Sequence, residues 1–160
     1  LCAWRRGNPW EALDHLATLA RDSPAAPSVS STQFLYAEAA LLVAELRRWG
    51  PPELRADPAF APVAADAEKR ARLFARGFRI GRPAELAARA LGQAGSDPAR
   101  RGFVAAARLA EELGMTLTRG RILCLHGRAL GDERLLTEGL ALLDRCGARA
   151  EKSHHEQAPR

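Results

Sequence analysis

A chain of 160 residues, 47% hydrophobic and 27% charged, is long enough for one domain with a real core and has the balance of a globular protein. Its net charge of +5 rests almost wholly on arginine, with Lys69 and Lys152 the only lysines; this fits affinity for an acidic partner, or a GC-rich genome that enriches Ala, Arg, Gly and Pro together. Three cysteines outside any tight motif argue against a disulfide framework and suit a reducing cytoplasm, and the longest apolar run, 37–44, is broken by Glu38 and too short to span a bilayer, so no membrane is expected.

Alanine and leucine dominate and β-branched residues are scarce, which favours helix over strand throughout. Residues 1–6 read as the end of a helix closed by Gly7. Because the chain starts at Leu1 inside an apolar stretch, a fragment of a longer protein is expected. Asn8, Pro9 and Glu11 form a helix start, with Asn8 as N-cap, Pro9 at the first helical position and Glu11 where a capping box wants an acid. That helix is expected to reach Arg21, with a Ser/Pro-rich loop over 22–31. A second helix is predicted over 32–49, stopped by Gly50-Pro51-Pro52, followed by an irregular or short-helical connection over 53–62. The positions Ala67, Ala71, Phe74 and Phe78 predict a helix over 63–79. Gly81-Arg82-Pro83 breaks the chain, and a short helix ends at Gly95. Asp97-Pro98 is expected to cap the next helix, which stops at Gly114. Two more helices are expected over 116–130 and from Asp132 to Cys146-Gly147. The polar, aperiodic stretch 149–160 reads as a disordered tail.

The sequence thus predicts seven helices plus a remnant, in one domain over 1–148. Three of these helices carry matching stripes at i, i+3, i+6 and i+7: Leu13, Leu16, Leu19, Ala20; Phe103, Ala106, Leu109, Ala110; and Leu140, Leu143, Cys146, Gly147. Each stripe follows directly on a small residue, Ala12, Gly102 or Gly139, where a neighbouring helix can approach closely. The last two stripes lie 37 residues apart, close to a helical-hairpin repeat of about 34. The fold class expected is all-α, a right-handed stack of antiparallel helical hairpins.

The stretch from Gly7-Asn8 through Glu11-Ala12-Leu13 to Asp22-Ser23-Pro24 resembles the second helix of a tetratricopeptide repeat. Three further segments, Phe78-Arg79-Ile80-Gly81-Arg82-Pro83, the run 107–115 and Leu143-Asp144-Arg145-Cys146-Gly147-Ala148, are similar to the C-terminal helical-repeat region of large bacterial signalling proteins. Those proteins join a nucleotide cyclase or protein kinase to an AAA-type ATPase and then to such repeats. The resemblance implies a tetratricopeptide-like α-solenoid in the cytoplasm that binds a protein partner or the upstream domains of its own polypeptide. The family's catalytic motifs lie upstream of such repeats, and none maps onto this chain. Where the family has Met-Pro-Tyr-Glu, this chain has Met115-Thr116-Leu117-Thr118, in which Thr116 can still cap a helix.

Chemistry-bearing groups were weighed against packing roles. No phosphate loop, nucleophile elbow or zinc-protease motif is present, so no catalytic residue, cofactor or metal site is assigned. Cys124 and His126 point apart on a predicted helix, and Cys146, His154 and His155 lie elsewhere; the expectation is two buried packing cysteines, a surface histidine and a tail. Glu111-Glu112 reads as a solvated face, His15 as half-buried packing, and Trp4, Trp10 and Trp49 as core fillers. The candidate partner-binding surface is a basic stripe, Lys69, Arg72, Arg76 and Arg79, opposite Phe74 and Phe78. No aromatics interleave it, which argues against nucleic acid. The function expected is a non-catalytic protein–protein interaction scaffold; the alternative is a basic helical domain that binds nucleic acid or another polyanion.

Overall fold

The computed structural model of the chain describes residues 2–22 and 34–157. Among the described residues there are ten α-helices, one 3-10 turn and no strand. The helices are α1 (Cys2–Arg5), α2 (Pro9–Asp22), α3 (Phe34–Trp49), α4 (Pro52–Ala56), α5 (Phe60–Gly77), α6 (Arg82–Gly92), α7 (Asp97–Glu112), α8 (Thr116–Leu130), α9 (Glu133–Arg145) and α10 (Arg149–Gln157), with the 3-10 turn at Arg79–Gly81. The predicted 22–31 loop lies almost wholly outside the described residues, as does the predicted start of the second helix at Thr32.

The all-α expectation holds, but the count of seven helices does not. The three further elements are α1, which is the predicted remnant, α4 and α10. Helix α4 forms at the start of the stretch read as irregular or short-helical: Pro52 sits in its first turn, where a missing N–H costs nothing, and Leu54 is fully buried. Helix α10 replaces the predicted disordered tail over 149–157, and its Glu151 and His155 are buried. Helix α5 begins at Phe60 and ends at Gly77, so Arg79 stands on the 3-10 turn and not on the helix.

The local signals fold as the chain chemistry dictates. Asn8 Oδ1 accepts a hydrogen bond from the Glu11 N–H at 3.1 Å while Asn8 Nδ2 donates to Glu11 Oε2 at 3.0 Å, a reciprocal cap. The helix stops Gly7, Gly95, Gly114, Gly131 and Gly147 all take positive φ, which side chains rarely adopt. Asp132 caps α9 by accepting from the Leu135 N–H. For α7, however, the cap is Ser96, whose Oγ accepts from the Ala99 N–H, and not Asp97, which is already helical. Thr116 likewise lies inside α8, and its N-cap Met115 makes no side-chain hydrogen bond.

Helices pair along the chain, α3 with α5 across the short α4, α6 with α7 and α8 with α9; α3 packs as extensively on α6 as on α5, and α7–α8 contacts join the last two pairs. One apolar core gathers Trp4, Leu13, Leu16, Leu42, Leu46 and Phe60 around α3; a second gathers Leu91, Phe103, Ile122, Leu125 and Leu142 around α8. The first two stripes face these cores through Leu13, Leu16, Phe103, Ala106 and Ala110. Of the third stripe only Leu143 is buried; Leu140 is half-buried and Cys146 is exposed on the turn after α9. The small residues before the stripes act as expected. A Cβ on Gly139 would stand 2.6 Å from Cys124 Sγ and 2.7 Å from the Gly120 carbonyl oxygen, and one on Gly102 would stand 3.0 Å from Ala90 Cβ.

Candidate functional site

Two places concentrate charge. The first is buried, where α1, α3, α8 and α10 converge. Arg5 donates through NH1 to Glu45 Oε2 at 2.5 Å and through NH2 to Glu45 Oε1 at 2.9 Å, and it reaches Glu151 through Nε at 3.0 Å and NH2 at 2.8 Å. Trp4 Nε1 also donates to Glu45 Oε2 at 3.0 Å. Arg121 donates to Glu151 Oε1 at 2.7 Å through Nε and closes a second ion pair on Glu38. Arg5 of α1 and Arg121 of α8 thus share the carboxylate of Glu151, with bidentate geometry that suits guanidinium.

Burial works against these charges, and only their mutual contacts keep them ionised. Glu45 has no exposed side-chain surface; desolvation pushes its carboxyl up, yet the Arg5 guanidinium holds it well below the usual range. Glu151 is likewise pushed up by burial and held down more strongly by the Arg5 and Arg121 guanidinium groups. Arg5 and Arg121 are desolvated in turn, and their carboxylate partners raise them.

Around this network lie softer contacts. The Arg128 guanidinium stacks on the Trp49 ring at 3.9 Å and lies 3.5 Å from His155 Nδ1. Arginine can only donate, so Nδ1 accepts and the neutral ring carries its proton on Nε2. That Nε2 lies 3.6 Å from Glu151 Oε1, just beyond hydrogen-bonding reach. Burial holds the His155 pKa down, which favours the neutral ring.

The second place is the outer face of α5. Lys69, Arg72 and Arg76 are exposed there, and among the described residues no hydrogen bond or ion pair engages their side chains. Arg79 is also exposed, but from the 3-10 turn it pairs with Glu112 of α7 at 3.1 Å. Arg72 borders a cleft of about 210 Å³ between α3, α5 and α6. Ala40, Ala44 and Ala71 line its floor, and the ion pairs Arg47–Glu68 and Arg89–Glu85 flank it.

The groups considered for metal chemistry do not converge. Cys124 Sγ is turned to α9, where burial pushes its thiol up to about 12. His126 is not at the surface: it is buried and stacked on Phe103 at 4.8 Å, and desolvation pushes its pKa down. His154 and His155 sit edge to face on α10. Among the described residues no group of three or more His, Cys, Asp or Glu could hold a metal ion, and no helix is long and apolar enough to cross a membrane. His15 is exposed beside Glu11 and Trp10 is 45% exposed, so neither packs as expected; Trp4 and Trp49 do lie against the apolar cores.

The buried network escaped sequence reasoning because its members look like ordinary solvated charges one at a time. The one available signal was Glu38 and Glu45, seven residues apart in the otherwise apolar stretch 34–46. No protein-family model matches the chain, and no curated protein or solved structure matches it.

Proposed function

We propose that this chain is a non-catalytic scaffold for protein–protein interaction, a right-handed tetratricopeptide-like stack of antiparallel helical hairpins. On this reading it is the C-terminal part of a larger bacterial cytoplasmic signalling protein, and it binds a protein partner or the upstream domains of its own polypeptide. The observation that carries the reading is the α5 face. Lys69, Arg72 and Arg76 are presented together without a carboxylate partner, beside a cleft lined by α3, α5 and α6. Such a face suits an acidic helix or extended segment. Sequential pairing of α3/α5, α6/α7 and α8/α9 supports the hairpin stack.

The test is binding of a fluorescent glutamate-rich helical peptide to the purified chain and to the variant K69E/R72E/R76E. The expected result is a loss of about tenfold or more in affinity in the variant. A duplex DNA of equal charge, titrated between about 50 and 200 mM salt, discriminates the alternative: tight binding with a steep salt slope, lost in the same variant, supports a polyanion-binding domain instead. Hydrolysis or cyclisation of ATP or GTP by the purified chain overturns both.

A further inference from the structure

Helix α10 is held mainly by charge, with the His154 ring against Trp4 at 5.4 Å as its one aromatic contact with another helix among the described residues. Of its nine residues only Ala150 is apolar, and its two buried side chains are Glu151 and His155, one turn apart. Its anchors are Glu151 on Arg5 and Arg121, with Lys152 on Asp144 at the rim. The contact between α10 and its seat is incompletely satisfied. His155 Nε2 and His154 Nε2 are buried without a hydrogen-bond partner, 3.6 Å from Glu151 and 3.7 Å from Glu45, and Glu38 Oε1 is buried without a donor. Buried polar atoms left this way oppose the contact that buries them.

The seat itself prefers an acid. Without α10 the Nε and NH2 donors of both Arg5 and Arg121 lose the carboxylate that accepts from them, so another carboxylate fits the same place. Removing α10 exposes almost no apolar surface of its own, so exchanging it for another acidic helix carries little hydrophobic penalty. The chain enters α10 through a turn at Gly147, where φ is +68°. A cleft of about 400 Å³ opens at the helix's far end, among Trp4, Arg6, Trp49, His154 and Gln157.

We propose that the Arg5–Arg121 cradle is a docking seat for an acidic helix of a partner protein, filled in this chain by α10 as an internal occupant. The inference rests on the scaffold reading and adds a second surface to it. The partner's helix presents a glutamate where Glu151 stands and a hydrogen-bond acceptor one turn later, where the His155 ring meets Arg128.

The experiment uses the full chain, its Glu151→Gln variant and a synthetic peptide with the sequence of residues 149–157. The peptide is expected to bind the variant at least about tenfold more tightly than the wild-type chain, whose seat is occupied, and to weaken with salt. A peptide carrying Glu151→Gln is expected to bind neither. Native-state hydrogen exchange on the wild-type chain provides the second measurement: α10 amides are expected to exchange by local opening, well before those of α8. Equal peptide binding to both chains, or none to a folded Glu151→Gln chain, overturns the proposal. So does exchange of α10 only with global unfolding, which decides the matter alone if the variant loses its helical circular dichroism. Dimerisation of the variant by exchange of α10 between copies overturns the partner assigned here in favour of a second copy of the chain. The variant K69E/R72E/R76E is expected to bind the peptide unchanged if added to Glu151→Gln, so failure at this seat leaves the α5 reading standing.

Discussion

Helix α8 meets α9 through small residues and α10 through arginine. On the α9 side, Gly120 and Gly127 are seven residues apart, and a Cβ on Gly127 would stand 2.6 Å from the Leu136 backbone nitrogen. Backbone meets backbone there, and dispersion and burial hold the seam. On the other side Arg121 and Arg128, also seven apart, reach Glu151 and His155 of α10. Here the two ledgers nearly cancel: taking guanidinium and carboxylate out of water costs about as much as their attraction returns. The α9 seam therefore contributes stability, and the α10 seam contributes specificity of position at little net stability. That difference is why α10 is the element fitted to exchange.

The largest expected effect breaks the ionic side. Glu45→Ala leaves Arg5 buried with half its carboxylate partners, and should lower the unfolding free energy by about 3–5 kcal/mol in chemical denaturation. The double variant Arg5→Met with Glu45→Leu should cost distinctly less, because it removes the desolvation penalty together with the attraction. A double variant as unstable as the single one would mean that this region, like the α9 seam, is held by packing. On that other side, Gly139→Val puts carbon where Cys124 Sγ and the Gly120 carbonyl already stand. Relief of the glycine's helix penalty is worth less than about 1 kcal/mol, so overpacking of about 2–3 kcal/mol should dominate and lower the melting temperature. A neutral outcome removes the claim that contact distance governs the α8–α9 seam.

The smallest expected effect is in pH. His155 is held below its ordinary value of 6.5, so below that pH the unfolded chain binds more protons than the folded one. Its contribution is complete above about pH 6.5 and is lost as pH falls through its folded pKa. Protonation also puts a hydrogen on Nδ1, against Arg128, while Glu151 and Glu45 attract the charge and Arg5 opposes it. His126, depressed by burial against Phe103, acts in the same direction. Glu45 and Glu151 add their loss only below about pH 4.5. Melting curves between pH 7 and 5 should therefore slope toward lower stability in acid, and His155→Leu should flatten the slope by at most about 1.4 kcal/mol per pH unit. An unchanged slope in that variant assigns the whole effect to His126.

Much of the fold was legible because its determinants are local. Five glycines at helix ends, the Asn8–Glu11 cap and the Asp132 cap each act within a few residues, and a 3.6-residue period reports a helix wherever its buried face is apolar. Helix α10 was illegible for the complementary reason: its buried face is ionic, so it has no apolar period to read. Cys146 was misread because the stripe continued in sequence past the point where α9 ended in space. Of the charged sites, the α5 stripe could be read from spacing on one helix, whereas the Arg5–Glu45–Glu151–Arg121 cluster spans contacts up to 146 residues apart.

By itself, then, the amino-acid sequence determined the helical class, most helix ends, and the small-residue positions where helices touch, all matters of backbone preference and side-chain size along a short stretch. Only the tertiary structure decided which charges are solvated and which are buried. That depends on partners from opposite ends of the chain arriving at one point, where low dielectric makes each ion tolerable only in the presence of the others.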